Sequence, residues 1–180
     1  MTYKNIHPSH KCPPLNLKSI NNADFDLHRQ VPENFTALFF YRGLHCPICK
    51  NQLQELEKNI NKFNDRGVNV VAISMDKQDR AEKAYKEWEL SNLNVCYGLE
   101  ESTAREWGLY ISEGLPNPDA IVEESQIFSE PGMFLVKPDG TLYCSSIQTM
   151  PFARPPLSDI ISALDFILEK DYPPRGTYEG

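Results

Sequence analysis

Residues 36 to 50 read TALFFYRGLHCPICK, and this stretch joins two patterns that decide the fold. Thr36 to Tyr41 is a short apolar run of β-formers without polar alternation, which suits a strand buried on both faces. The run breaks at Arg42-Gly43 and leads into Cys46-Pro47-Ile48-Cys49. Leu53, Leu56, Ile60 and Phe63 then recur at spacings of three and four, the mark of an amphipathic helix that ends before Gly67. Pro47 suits the first helical position, where its missing N–H costs nothing. Cys46 therefore falls near the N-cap and Cys49 inside the first turn.

That placement has a chemical consequence. The free N–H groups and the dipole at a helix start stabilise a thiolate, which is the nucleophilic form of cysteine. Two intervening residues let the second sulfur attack a mixed disulfide formed on the first. In an acidic chain, residues 42 to 50 hold Arg42, His45 and Lys50 and no carboxylate, and cations near a thiol favour its charged form. Cys46 and Cys49 are thus the candidate catalytic pair, with Arg42, His45 and Pro47 in support.

Two blander readings compete. The cysteines could simply pack against Leu53 and Leu56, or they could join His7, His10 and Cys12 around a metal. The sequence has no second C-x-x-C and no H-x-x-x-H to support a zinc site, so no metal is expected. Cys96 and Cys144 fall in apolar, strand-like segments and read as buried filler. Cys12, in the N-terminal arm, reads as a candidate exposed thiol.

Outward from the central stretch, residues 1 to about 30 read as a polar, turn-rich arm with a short edge strand near Leu15 to Leu17. Val68 to Met75 is a second buried strand, and Ala81, Ala84, Tyr85 and Trp88 trace a second helix. Asn94 to Tyr97 suits a short strand and Ser102 to Trp107 a helical turn or two. Ser112 to Glu130 is polar, contains prolines and is long for a loop, so it is either functional or mobile. Met133 to Val136 and Leu142 to Ser145 flank a Pro138-Asp139-Gly140 turn and predict a β-hairpin. Leu157, Ile160, Ile161, Leu164, Ile167 and Leu168 mark a final helix, and a polar tail follows from Tyr172. The order predicts an α/β fold, a central mixed sheet flanked by helices, in one domain spanning 1–180.

The chain has 180 residues, of which 18 are Lys or Arg and 25 are Asp or Glu, for a formal net charge of −7. That balance argues against nucleic acid or anionic lipid as a partner. No apolar run reaches the length of a membrane span, and the first residues lack a secretory h-region. Five cysteines, an odd count with only two closely spaced, suit reduced thiols in a cytoplasmic compartment. Nothing matches a phosphate loop or dinucleotide fingerprint, so no nucleotide or flavin cofactor is expected.

Phe39 to Lys50, with Gln52-Leu53, resembles the active-site region of peroxiredoxin-like proteins, the alkyl hydroperoxide reductase and thiol-specific antioxidant branch of the thioredoxin superfamily. The resemblance continues at Gly132 to Gly140, Met150 to Pro155 and Asp171 to Gly176, and it implies a thioredoxin-like fold. Laid on the P-x-x-x-T-x-x-C motif of peroxiredoxins, Cys49 matches the peroxidatic cysteine, Cys46 replaces the threonine and Arg42 the proline. Thioredoxins instead use the first cysteine of C-x-x-C, here Cys46, but the peroxidatic alignment makes Cys49 the expected site of attack on peroxide. Pro131 stands where peroxiredoxins usually carry an arginine, and it matches the cis-proline of thioredoxin-like reductases. The resemblance therefore implies a cis Glu130–Pro131 bond against Cys46, with Arg42 or Arg154 as the replacement cation.

The expected function is thiol-dependent oxidoreduction at Cys46 and Cys49, most directly of hydroperoxides, with a thiol electron donor and a possible homodimer. A protein dithiol–disulfide reductase is the alternative within the enzyme class. A non-catalytic binding or metal-holding domain is the alternative outside it.

Overall fold

The structure is a computed structural model that describes residues 6–178. Its centre is β3 (Phe35–Phe40), whose six residues are all buried. Alternate side chains serve two cores, as the period of a strand requires. Phe35, Ala37 and Phe39 face one side with Tyr41, while Leu38 and Phe40 face the other.

β3 pairs in parallel with β4 (Val68–Ile73), which pairs in parallel with β5 (Asn94–Tyr97). The connection from β3 to β4 is α1 (Pro47–Asn64), and that from β4 to β5 is α2 (Gln78–Glu87). On the other side β3 pairs antiparallel with β8 (Gly132–Val136), and β8 pairs antiparallel with β9 (Leu142–Ile147). The N-terminal strands β1 (Asn16–Ser19) and β2 (Phe25–Asp26) complete a seven-stranded mixed sheet of order β2-β1-β5-β4-β3-β8-β9.

One core lies beneath α1 and α4 (Leu157–Lys170), where Leu53, Leu56, Ile60 and Phe63 meet Leu157, Ile160 and Leu164. The opposite face is covered by the N-terminal segment and α3 (Glu101–Glu106). Cys12, Leu15, Leu17, Phe25 and Leu27 pack there with Trp107 and Phe134. The segment that reads as polar in sequence thus supplies five buried side chains; β2 is too short for its alternation to be visible.

The stretch from 112 to 130 forms a separate two-stranded sheet, β6 (Ile111–Glu113) antiparallel to β7 (Ile127–Ser129), with the intervening residues as a strap. Among the described residues, no helix is long and apolar enough to cross a membrane.

Leu53 is fully buried between α1 and the sheet. Leu53→Ala is expected to lower the unfolding free energy by about 2–5 kcal/mol, read as a reduced denaturant midpoint at unchanged slope.

Candidate active site

β3 hands over to α1 through a turn held at three points. The Tyr41 N–H donates to the Ile73 carbonyl at 2.9 Å, the Leu44 N–H to the Asp76 Oδ2 at 2.7 Å, and the Cys46 N–H to the Gly43 carbonyl at 3.1 Å. Gly43 sits at φ +135°, a conformation that disfavours any residue with a Cβ. The turn delivers Cys46 to the N-cap of α1, with Pro47 opening the helix. Here the capping acceptor is sulfur: the Cys49 N–H donates to Cys46 Sγ at 3.2 Å. Ser, Thr, Asp and Asn usually fill this role with oxygen.

Both sulfurs are enclosed, Cys46 being 1% and Cys49 0% exposed. All five cysteines of the chain are free thiols. Above the pair lies Arg154, from the segment before α4. It donates to Cys49 Sγ at 3.0 Å and reaches Cys46 Sγ at 3.9 Å. Its other contacts are the Gln52 side-chain oxygen and the Pro151 carbonyl.

These contacts divide the two thiols. Cys46 is lowered to about 6, first by the hydrogen bond from the Cys49 thiol, then by the Cys49 N–H and by Arg154 and Arg42, against the opposing effect of burial. Cys49 is raised well above an ordinary thiol, by burial first and then by its contact with Cys46. The pair shares protons, and the first charge rests on the capping sulfur.

Arg42 and His45 lie on the other side of the turn, under the strap. Arg42 stacks over Phe128 at 4.5 Å and pairs with Glu130 at 3.3 Å and Glu124 at 3.6 Å. The carboxylates absent from residues 42–50 arrive from residues 124 and 130, and they offset much of this cation. His45 is buried against Phe128, with Glu124 at 3.9 Å. Burial first, and then Arg42, push its pKa below that of an ordinary histidine. That direction works against a cationic role for His45, while the guanidinium of Arg154 lies against both sulfurs.

Pro131 requires a correction. Among the described residues there is no cis peptide bond, so Glu130–Pro131 is trans. Residues 127 to 136 run as β7 into β8, with the Glu130 N–H on the Tyr110 carbonyl and the Gln148 N–H on the Pro131 carbonyl. An extended run accommodates the favoured trans form. Pro131 does lie close to the site, lining a small hollow with Gln52 and Arg154. The match to thioredoxin-like reductases at this position falls away.

The other cysteines stand apart. Cys12 is buried rather than exposed, and burial raises its pKa to about 12. Burial likewise raises Cys96 to about 12 and Cys144 to about 11. His7 and His10 meet edge to face at 6.0 Å. Among the described residues, no group of three or more His, Cys, Asp or Glu side chains is placed to hold a metal ion.

Beside the pair, an open groove of about 300 Å³ runs between Ile48, Asn51 and Glu55 of α1 and Phe152 to Leu157, with Arg154 in its wall. Ile48 and Phe152 stand half exposed at its edge.

The family model of the AhpC/TSA family matches residues 8–144 of the chain, a span that holds both thiols and ends before Arg154. The chain belongs to this family. Membership makes it a thiol-based peroxidase in class, an oxidoreductase. No curated protein sequence matches the chain.

Solved structures share the fold at low identity. A mutant peroxiredoxin 6 of Arenicola marina is 17% identical, with 93% of this chain and 76% of that chain covered and a TM-score of 0.73. The peroxidoxin BcpB from Mycobacterium tuberculosis is 13% identical, with 91% and 99% covered and a TM-score of 0.69. The AhpC of Mycobacterium bovis is 16% identical, with 99% and 100% covered and a TM-score of 0.66.

Iodoacetamide modification of the reduced protein is expected to follow a midpoint near pH 6, the value set by Cys46. Arg154→Met removes a cation that favours the thiolate, so the midpoint should rise, by about one unit.

Proposed function

We propose that the chain reduces hydroperoxides through Cys46 and Cys49, with Cys46 as the attacking thiolate and Cys49 as the resolving thiol. The observation that carries this reading is the Cys46 sulfur itself, which accepts the Cys49 N–H at 3.2 Å with Arg154 at 3.9 Å. A helix N–H and a cation stabilise the charge that makes sulfur nucleophilic.

In this mechanism the thiolate attacks the nearer oxygen of the hydroperoxide and the O–O bond breaks. The S–O bond formed gives a sulfenic acid, and the departing alkoxide takes a proton to leave as alcohol. Arg154 supports the negative charge as it moves from sulfur to the departing oxygen. The Cys49 sulfur then displaces water from the sulfenic acid and closes the disulfide. Dithiol and hydroperoxide thus become disulfide, alcohol and water, and an external thiol donor returns the two electrons.

Pro47 starts the helix on which both sulfurs depend, and Arg42 adds a weaker field from across the turn. The groove beside Ile48 and Phe152 gives a substrate a route to Arg154. The enclosure of both sulfurs favours a small hydroperoxide over the alternative substrate, a protein disulfide. The proposal extends to a reducing, cytoplasmic setting and to a possible homodimer.

A second assignment, Cys49 as the attacking thiol, has an observation of its own: Arg154 donates to that sulfur at 3.0 Å. Cys49 also matches the peroxidatic position of the motif. Serine variants separate the two. With Cys46 attacking, Cys46→Ser abolishes the first oxidation by peroxide, while Cys49→Ser forms a sulfenic acid that dimedone traps but cannot close the disulfide. The reverse pattern would transfer the attacking role to Cys49.

A further inference from the structure

Asp76 lies just beyond β4, with its side chain 0% exposed, and the mechanism above does not use it. A carboxylate is costly to bury unless its oxygens are filled by donors. Here three segments supply them. The Leu44 N–H occupies Oδ2 at 2.7 Å, while Arg80 of α2 at 2.9 Å and the Ser125 hydroxyl of the strap at 3.2 Å occupy Oδ1. Arg80 also donates to the Glu123 carbonyl at 3.0 Å, so α2 and the strap are tied at one place.

The Oδ2 contact bears on catalysis. Leu44 is the second residue of the turn closed by the Cys46 N–H on the Gly43 carbonyl. Opposite it, a Cβ on Gly43 would stand 2.7 and 2.8 Å from the two Asp76 oxygens. Carboxylate and turn are therefore fitted to each other, and the fit ends one residue before His45 and two before Cys46.

We infer that Asp76 is a positioning residue for Cys46: its Oδ2 pins the turn that holds the Cys46 sulfur over the first N–H groups of α1. The inference rests on the reading of Cys46 as the resting thiolate. The groups facing Asp76 are Arg80, the Ser125 hydroxyl, the Leu44 N–H, Tyr41 and His45. Those facing Cys46 are Cys49, Arg154 and Arg42.

Positioning and charge predict opposite signs. As a negative charge alone, Asp76 opposes the thiolate, so its removal would lower the Cys46 midpoint. As a pin, its removal frees the turn, misaligns the sulfur and raises the midpoint.

The test is the pH dependence of iodoacetamide modification at Cys46 in the reduced full chain, followed by mass spectrometry, with thermal stability measured alongside. Asp76→Ala is expected to raise the midpoint by at least half a unit, which is about threefold less thiolate at pH 5. Asp76→Asn keeps a carbonyl oxygen for the Leu44 N–H and should stay near wild type. Gly43→Ala pushes on the same contact from the other side and should shift the midpoint upward as Asp76→Ala does, so the test survives a poorly folding Asp76→Ala. Leu17→Ala, in the opposite core, should lower stability without moving the midpoint.

No shift, a downward shift, or equal upward shifts in the Ala and Asn variants of Asp76 would overturn the positioning role. A wild-type midpoint at an ordinary thiol value would instead overturn the reading of Cys46 on which it rests.

Discussion

An α-helix begins with backbone N–H groups that have no partner in the helix, and something must accept them. In this protein a cysteine sulfur is that acceptor. The hydrogen bond from the Cys49 N–H to Cys46 Sγ ends the strand-to-helix turn and starts α1. It also lowers the cost of ionising the thiol. In the proposed mechanism the capping requirement of the fold and the nucleophile requirement of the chemistry are met by one atom. The disulfide proposed for the oxidised state would give up the thiolate acceptor and so couple the redox state to the first turn of the helix.

Around this contact the cations are sorted by their partners. Arg154 spends its hydrogen bonds on Gln52, a backbone carbonyl and the sulfurs, so its charge bears on the pair. Arg42 is nearer in sequence but is held by Glu124 and Glu130 and by the face of Phe128. His45 adjoins Cys46 in sequence, yet burial pushes its pKa down, away from the charged form. Proximity along the chain is thus a poor guide to which cation acts on a thiol; desolvation and competing carboxylates decide.

The same distinction explains how much was legible in the sequence. Strands, helices and the placement of Cys46 at the N-cap follow from periodicity and Pro47, which are local properties. The mixed sheet follows from their order. Arg154 was visible as a candidate cation, but its position depends on the path of residues 148 to 156, which no periodicity describes. Asp76 gave no signal, because a carboxylate after a buried strand is ordinary in any sequence, and Gln52 belonged to the resemblance without pointing to Arg154. The strap's carboxylates at 124 and 130 reach Arg42 only through the β6–β7 pairing. The cis bond expected at Pro131 came from likeness to one branch of the superfamily, and the extended path from β7 to β8 removes it.

The account turns on peroxide oxidation being confined to one pair of thiols among five. One equivalent of hydroperoxide added to the fully reduced protein, followed by acid quenching, alkylation and peptide mapping, reads this directly. The account predicts a Cys46–Cys49 disulfide as the main oxidised species, with Cys12, Cys96 and Cys144 alkylated as free thiols. Recovery of both Cys46 and Cys49 as free thiols, or of a disulfide that joins either of them to Cys12 or Cys96, would contradict it.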